Sequence, residues 1–431
     1  MTTGRAGRLL ATVRRLGWGV ADQGISSLSN FALGIVAAKS LDPTEFGAFT
    51  LAYVTFAFVL SASRGPSTDP LMVRFSHAEP AAWRHAVAAA TATATSFGVL
   101  AGSVCVLVGL LLPAQVGYGF IALGVGLPGL MLQDSYRFAF FSSGKGALAF
   151  LNDTVWGLLQ VLTLLALVVL DRADAVTCIL AFGGTATLAA GLGFVQCRVL
   201  PRLGGVRGWL HDHRDLGGRY LIENVSSGGA RQLRMVAVGV FAGLAAVGEI
   251  RAAEILMGPL LIIVSGVSQV AVPEIVAVAA RATRRVAAFC LWMGAVQALA
   301  ALVWIVLLTV MLPRGVGELL LGDLWVPAAE LVPPVGALIV IGCFEVAAAA
   351  GVRALAASRR SLTAQVSSST LYLLAGAIGA ELGGAKGSCW GVAAAAAVGV
   401  LVWWYHLRRA IAERISHEET LEVHTVGSAG R

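Results

Sequence analysis

Ala86–Leu112 reads AVAAATATATSFGVLAGSVCVLVGLLL, twenty-seven residues without a charge. As an α-helix rising about 1.5 Å per residue it would measure roughly 40 Å, more than the ~30 Å hydrocarbon core of a bilayer. A surface helix of a soluble protein would show polar residues on the face it turns to water, and this stretch has no such face. Outward from it in both directions, similar runs recur from Trp18 to Tyr405, and the longest polar interval between them is the basic stretch Arg198–Arg219. Hydrophobic residues make up 57% of the 431 and charged residues 13%, about half the charged share of soluble proteins. A soluble chain of this length would need far more polar surface to cover its core. The expected fold class is therefore an all-α polytopic membrane protein, because lipid offers no partner to backbone groups outside a helix.

Twelve spans are expected, at 18–38, 44–63, 86–112, 118–141, 148–170, 175–196, 220–241, 248–272, 287–312, 328–350, 362–381 and 388–406. Met1–Gly17 is basic and precedes an apolar stretch, as a signal peptide would, but Trp18–Ala38 exceeds a signal's apolar core and reads as an uncleaved first span. Asp42-Pro43-Thr44-Glu45 offers an N-cap, a proline at the first helical position and a reciprocating Glu, so a helix starts there. With the N-terminus inside, cytoplasmic segments hold 23 Arg and Lys and external loops hold four: Lys39, Arg172, Arg314 and Lys386. That asymmetry places both termini in the cytoplasm.

A weak repeat divides the spans. Asp22 and Gly47 are matched by Glu223 and Gly248 at an offset of 201, and Ser26-Ser27 has its counterpart in Ser226-Ser227. The organisation expected is a cytoplasmic N-terminus at 1–17, an N-lobe of six spans at 18–197 and a basic cytoplasmic linker at 198–219. A C-lobe of six spans follows at 220–406, then a cytoplasmic tail at 407–431. Two lobes of even span number share one orientation, which makes them pseudo-symmetric about the membrane normal.

Charges inside spans are costly and mark partners or water-filled cavities. The four basic residues that fall within spans are Arg137, Arg231, Arg234 and Arg251. Asp134 and Arg137 lie three apart and so do Arg251 and Glu254, spacings that permit pairing on one helix face. Arg231 and Arg234 are also three apart, preceded by Glu223 and Asn224, and no acid stands at helical spacing next to both. Their forks suit phosphate oxygens, so an anion is one reading of this pair. Asp22, Gln23 and Asn30 on the first span could line the same cavity, or Asp22 could be solvated at the interface. Glu330 and Glu345 are open in the same way. Asn152 and Asp153 stand near the start of the fifth span, where an N-cap explains them.

Several classes are disfavoured. The formal charge of +7 is carried between apolar spans rather than on a basic face interleaved with aromatics, which speaks against nucleic acid as a partner. The six cysteines are scattered, with no C-x-x-C pair, and read as packing residues rather than a metal site or disulfide frame. Walker A, H-E-x-x-H and G-x-S-x-G motifs are absent, and no cofactor or enzymatic activity is expected.

Asp22-Gln23-Gly24-Ile25-Ser26-Ser27-Leu28-Ser29-Asn30-Phe31, followed by Ala38-Lys39-Ser40-Leu41-Asp42-Pro43 and Glu45-Phe46-Gly47, resembles the start of bacterial polysaccharide flippases. These belong to the multidrug/oligosaccharidyl-lipid/polysaccharide exporter superfamily. Leu132–Lys145 and Gly243–Pro259 resemble the family's fourth-span and second-half patterns. The resemblance covers roughly residues 18–410. It implies a V-shaped pair of six-helix lobes in a bacterial plasma membrane, moving polyprenyl-pyrophosphate-linked oligosaccharide to the outer leaflet by alternating access, without ATP. It makes Arg137, Arg231, Arg234 and Arg251 candidate pyrophosphate contacts. Asp22, Asp134, Glu223 and Glu254 become candidates for cavity gating or ion coupling. Membrane lipid, a polysaccharide polymerase and glycosyltransferases are the implied partners. Two other readings are weighed: a cation-coupled multidrug-type exporter of the same fold, and a membrane-embedded glycosyltransferase or polymerase. The latter expects a large external loop bearing catalytic groups, whereas the longest connections here are internal and basic.

Overall fold

Hydrophobic runs of this length become helices throughout: a computed structural model, which describes residues 3–76, 78–311, 315–355 and 357–429, contains no strand among them. The helices are α1 Thr3–Ser40, α2 Pro43–Arg64, α3 Thr68–Phe75, α4 Pro80–Leu111 and α5 Ala114–Ser142. They continue with α6 Gly146–Val169, α7 Ala175–Cys197, α8 Val206–Asp212, α9 Arg214–Phe241 and α10 Leu244–Leu256. The remainder are α11 Gly258–Arg281, α12 Val286–Met311, α13 Val316–Leu321, α14 Trp325–Ala354 and α15 Ser358–Ala429. Among the described residues, eight helical segments are long and apolar enough to cross a membrane, so the chain is a multi-pass membrane protein. Helices α1 and α9, which carry Asp22 and the Arg231–Arg234 pair, are not among those eight.

Three features differ from the expected spans. The eighth is two helices, broken at Met257, because Pro259 lacks the N–H a continuing helix needs and instead opens α11. The basic linker is not structureless, since it contains α8 and the first turn of α9. A short helix, α3, follows α2. Local signals explain other boundaries. Asp42 caps α2, its Oδ1 accepting from the Thr44 and Glu45 amides at 2.8 and 2.9 Å. Asp174 and Thr177 form a capping box at the start of α7. Helix α15 is broken at Gly383 and Gly384, the latter at a φ of 61° that favours glycine.

The chain forms two compact units. One comprises Met1–Gly239, Gly243–Ile255 and Leu320–Leu324; the other comprises Val240–Ala242, Leu256–Leu319 and Trp325–Arg431. In the first, α4 and α5 meet through glycines, which let helix backbones approach where no hydrophobic effect drives them together. A Cβ on Gly124 would lie 2.6 Å from the Gly102 carbonyl oxygen and 2.7 Å from a Val106 methyl. Gly47 and Gly248, the positions that set the repeat offset, lie against one another: a Cβ on Gly248 would be 3.2 Å from the Gly47 amide nitrogen. In the second unit, buried residues of α11, α12, α14 and α15, among them Ile275, Cys290, Ala347 and Trp403, form the core. All six cysteines are buried and unpaired with one another.

The linker is docked on the first unit. Trp209 of α8 is buried, and its indole N–H donates to the Pro66 carbonyl at 3.0 Å. The His213 ring lies 4.1 Å from Trp209 and stacks on Phe75 at 5.7 Å. Arg74 of α3 donates to the Asp212 carbonyl at 2.9 Å and pairs with Asp215 at 2.6 Å.

Two outcomes follow from this packing. Gly124→Val should destabilise the protein by about 1–3 kcal/mol through overpacking. Gly191→Val, where nothing lies within 4 Å, should not, and thermal unfolding in detergent separates the two. Burial holds the His213 imidazole below its ordinary 6.5, with Arg74 adding to the shift against Asp212 and Asp215. An undocked linker therefore binds the proton more readily, and docking weakens as pH falls through about 6.5 and below. Proteolysis of the linker at pH 5.5 should exceed that at pH 7.5, and His213→Phe should remove the difference.

Candidate functional site

Asp22 of α1, Arg137 of α5 and Asp153 of α6 converge inside the first unit. The Arg137 Nε lies 2.7 Å from the Asp22 Oδ2, a terminal nitrogen of the same guanidinium also bonds that oxygen, and its Nε lies 3.1 Å from the Asp153 Oδ2. Both carboxylates are buried, at 0% and 2% exposure. Gln133, one turn before Arg137 on α5, donates to the Asp153 Oδ1 at 2.7 Å and to the Asn152 Oδ1 at 3.2 Å. Asn152 donates in turn to the Ala189 carbonyl at 2.9 Å and to the Gln196 side chain at 3.2 Å, both on α7. Four helices are thus joined by one polar network at the depth of the spans.

The Asp134–Arg137 pair that their spacing permits is not formed. Asp134 accepts a two-pronged bond from Arg64 at the end of α2, at 2.9 and 2.7 Å, and Arg64 also lies over the Phe138 ring at 4.9 Å. Helical spacing allowed the i,i+3 pair, but carboxylates on facing helices offered each arginine better geometry. Asp153 does not cap a helix either: α6 begins at Gly146, so residue 153 lies in its second turn and turns its carboxylate inward. Sequence reasoning missed Arg64 and Gln196 as members of this network and read Asn152 and Asp153 as a cap. The signal for Asp153 was available, since Gly144-Lys145 is itself a helix-breaking turn and leaves no room for a cap eight residues later.

Three carboxylates, Asp22, Asp134 and Asp153, face two guanidinium groups, Arg64 and Arg137. One negative charge is therefore in surplus, and the Asp22 Oδ1 accepts no hydrogen bond among the described residues. A buried surplus charge is expensive, and a proton or small cation would neutralise it.

The other predicted residues lie on α9 and α10. Arg231 is exposed, while Arg234 is buried at 2% exposure. Gln232 between them donates to the Thr55 hydroxyl of α2 at 2.7 Å. Arg251 lies over the Tyr53 ring at 4.8 Å and pairs with Glu254 at 3.5 Å, as the spacing predicts. Asn224 donates to the Asp69 carboxylate at 3.3 Å. The Glu223 side chain lies outside the described residues. In the second unit Glu330 pairs with Lys386 at 3.7 Å at the surface, and Glu345 packs at Gly399 of α15.

No protein-family model matches the chain, and no curated protein matches it in sequence. Its fold is similar to that of solved transporters. An inward-facing multidrug-resistance MATE transporter of the MOP superfamily superposes with a TM-score of 0.71 at 14% identity, over 90% of this chain and 95% of that one. The lipid II flippase MurJ, in an inward closed conformation, gives 0.72 at 9% identity, over 92% and 89%. A MOP superfamily transporter from Pyrococcus furiosus, whose binding pocket is described as reversed in polarity, gives 0.57 at 15% identity, over 93% and 95%. The chain therefore has the fold shared by MATE transporters and MurJ.

The charge count leads to a paired prediction. Arg137→Ala leaves two buried carboxylates without their cation and should cost about 3–5 kcal/mol. Asp153→Asn removes the surplus charge while leaving the Asp22–Arg137 bonds, and should be neutral or stabilising. Thermal unfolding of the purified variants at pH 7.5 gives both signs.

Proposed function

We propose that this protein is a flippase that moves polyprenyl-pyrophosphate-linked oligosaccharide across the bacterial plasma membrane by alternating access, in polysaccharide biosynthesis. The observation that carries the reading is the set of arginines on α9 and α10, Arg231, Arg234 and Arg251, in a fold shared with a flippase of lipid II. Guanidinium forks match a diphosphate's oxygens, and Arg231 is exposed on α9. In this reading the lobes are 18–197 and 220–406, both termini are cytoplasmic, and the Asp22–Arg137–Asp153 network supplies ion coupling in place of ATP. Asp134, Glu223 and Glu254 assist gating. A polymerase and glycosyltransferases act on the same lipid-linked substrate.

A second reading is a cation-coupled exporter of small molecules, favoured by the likeness to a multidrug MATE transporter and by the surplus of buried carboxylates. It gives the arginines of α9 and α10 no role in the cargo.

Translocation of a fluorescent polyprenyl-pyrophosphate-linked oligosaccharide in proteoliposomes separates the two. Arg231→Ala should slow it about 10–100-fold, the worth of a lost charge-assisted hydrogen bond, with normal protein abundance because the residue is exposed. Arg231→Lys should recover part of the rate. Unchanged translocation in Arg231→Ala would remove the pyrophosphate role.

A further inference from the structure

Along α6, Asp153, Gly157, Gln160 and Leu164 recur at helical spacing and are all buried, so they form one inward face. Trp156 stands one turn from both Asp153 and Gln160, borders that face and is half-buried. Helix α1 covers one side, where a Cβ on Gly157 would lie 3.0 Å from the Ser29 Cβ. Phe182 of α7 covers the other, its ring 5.4 Å from that of Trp156. The Asp22–Arg137–Asp153 network bounds the face towards Gly146, and the fully buried Leu164 bounds it towards Val169.

Four buried polar atoms around this face have no hydrogen-bond partner among the described residues. Two are donors, the Trp156 indole N–H and the Gln160 amide nitrogen. Two are acceptors, the Asp22 Oδ1 and the Asp153 Oδ2. The Ser29 hydroxyl does not donate to them, since it is spent on the Ile25 and Ser26 carbonyls at 3.0 and 3.1 Å. Seven residues of helix separate Asp153 from Gln160, about 10 Å, too far for a direct bond. What lies between has to accept from N–H groups at one end and donate to carboxylates at the other. A metal cation cannot accept from N–H, and an anion would meet a network that already has a negative charge in surplus. Water does both, and orphaned groups of this kind are what hold water inside proteins. About three waters in steps of roughly 2.8 Å span the distance.

We propose that the inward face of α6 holds a short file of water, bound by Trp156 and Gln160, along which a proton reaches the surplus carboxylate. Only O–H bonds change. A proton entering beside Trp156 displaces one from each water in turn, and the last is donated to the Asp22 Oδ1 or the Asp153 Oδ2, leaving a neutral carboxyl. The other charges facing that end are Arg137 and the Asp134–Arg64 pair, and α7 carries no charged residue. The water site stands on this geometry; its use in transport rests on the flippase reading and its ion coupling.

The test is hydroxyl-radical footprinting of the full chain in lipid nanodiscs by brief X-ray exposure, in which radicals form from water beside a side chain. Trp156 should be oxidised at least fivefold faster than Trp403, and Phe182 at least fivefold faster than Phe140, which lie 1% exposed in apolar cores. Gln160→Leu keeps the side chain's size, removes its N–H and should lower both rates at least threefold. In proteoliposomes the same variant should bring the ratio of translocation rates with and without a proton gradient close to one. Trp156→Phe serves for that ratio if the leucine variant does not insert. Oxidation of Trp156 and Phe182 no faster than that of their buried counterparts would overturn the proposal, and so would a full response to the gradient in the variant. If lipid-linked sugar moves under a gradient while Phe182 stays protected, the water file fails and the flippase reading stands. If Trp156 and Phe182 are oxidised as expected but no lipid-linked sugar moves, the flippase reading fails and the water site remains.

Discussion

A guanidinium cannot rest inside a helical bundle at membrane depth without anions to meet it, and Arg137 meets two. Asp22 reaches it from α1 and Asp153 from α6, so one side chain of α5 ties its neighbour α6 and the distant α1 together. Gln133, Asn152 and Gln196 extend the constraint to α7, and the Arg64–Asp134 pair ties α2 to the same face of α5. Lipid supplies little net drive for helices to associate, so polar contacts and close packing have to do it. Here the polar contacts are charged, and they do not balance. A surplus carboxylate buried in this way is a place where the arrival of a proton or small cation would change the energy of the arrangement.

The remaining features of the first unit fit around that network. Glycines bring α4 and α5 into backbone contact, and an apolar groove between α2 and α4 stays open beside them. Helix α9 is tied to α2 by the bond from Gln232 to the Thr55 hydroxyl. The groove and the charged network both lie in the first unit. Outside the spans, α8 docks through Trp209 and His213 onto the turn after α2 and onto α3, so the linker is a packed element.

Much of the fold was legible because hydrophobic length is a strong signal. Among the described residues the expected spans fall on helix apart from end residues and the break at Met257, and the Asp42 cap and the Arg251–Glu254 pair are where the local rules put them. The site was less legible because spacing along one helix says nothing about facing helices. Asp134 and Arg137 satisfy the i,i+3 rule, yet each found a partner across the bundle. Asp153 would suit a cap only at a helix start, and α6 begins seven residues earlier, at Gly146. Arg64 lies one residue beyond the expected span 44–63, and α2 extends just far enough to carry it to Asp134. The break at Met257 was signalled by Pro259, which a count of apolar residues passes over.

Coupling between the charge-surplus network and movement of a lipid-linked sugar is the central claim. The most direct measurement is the initial rate of oligosaccharide-lipid translocation in proteoliposomes under an imposed proton or sodium gradient, for the natural chain and for Asp153→Asn. A gradient should accelerate translocation by the natural chain and leave the Asp153→Asn variant at its ungradiented rate. Equal acceleration of both proteins would contradict the claim, and so would accumulation of a cationic dye with no movement of the lipid-linked sugar.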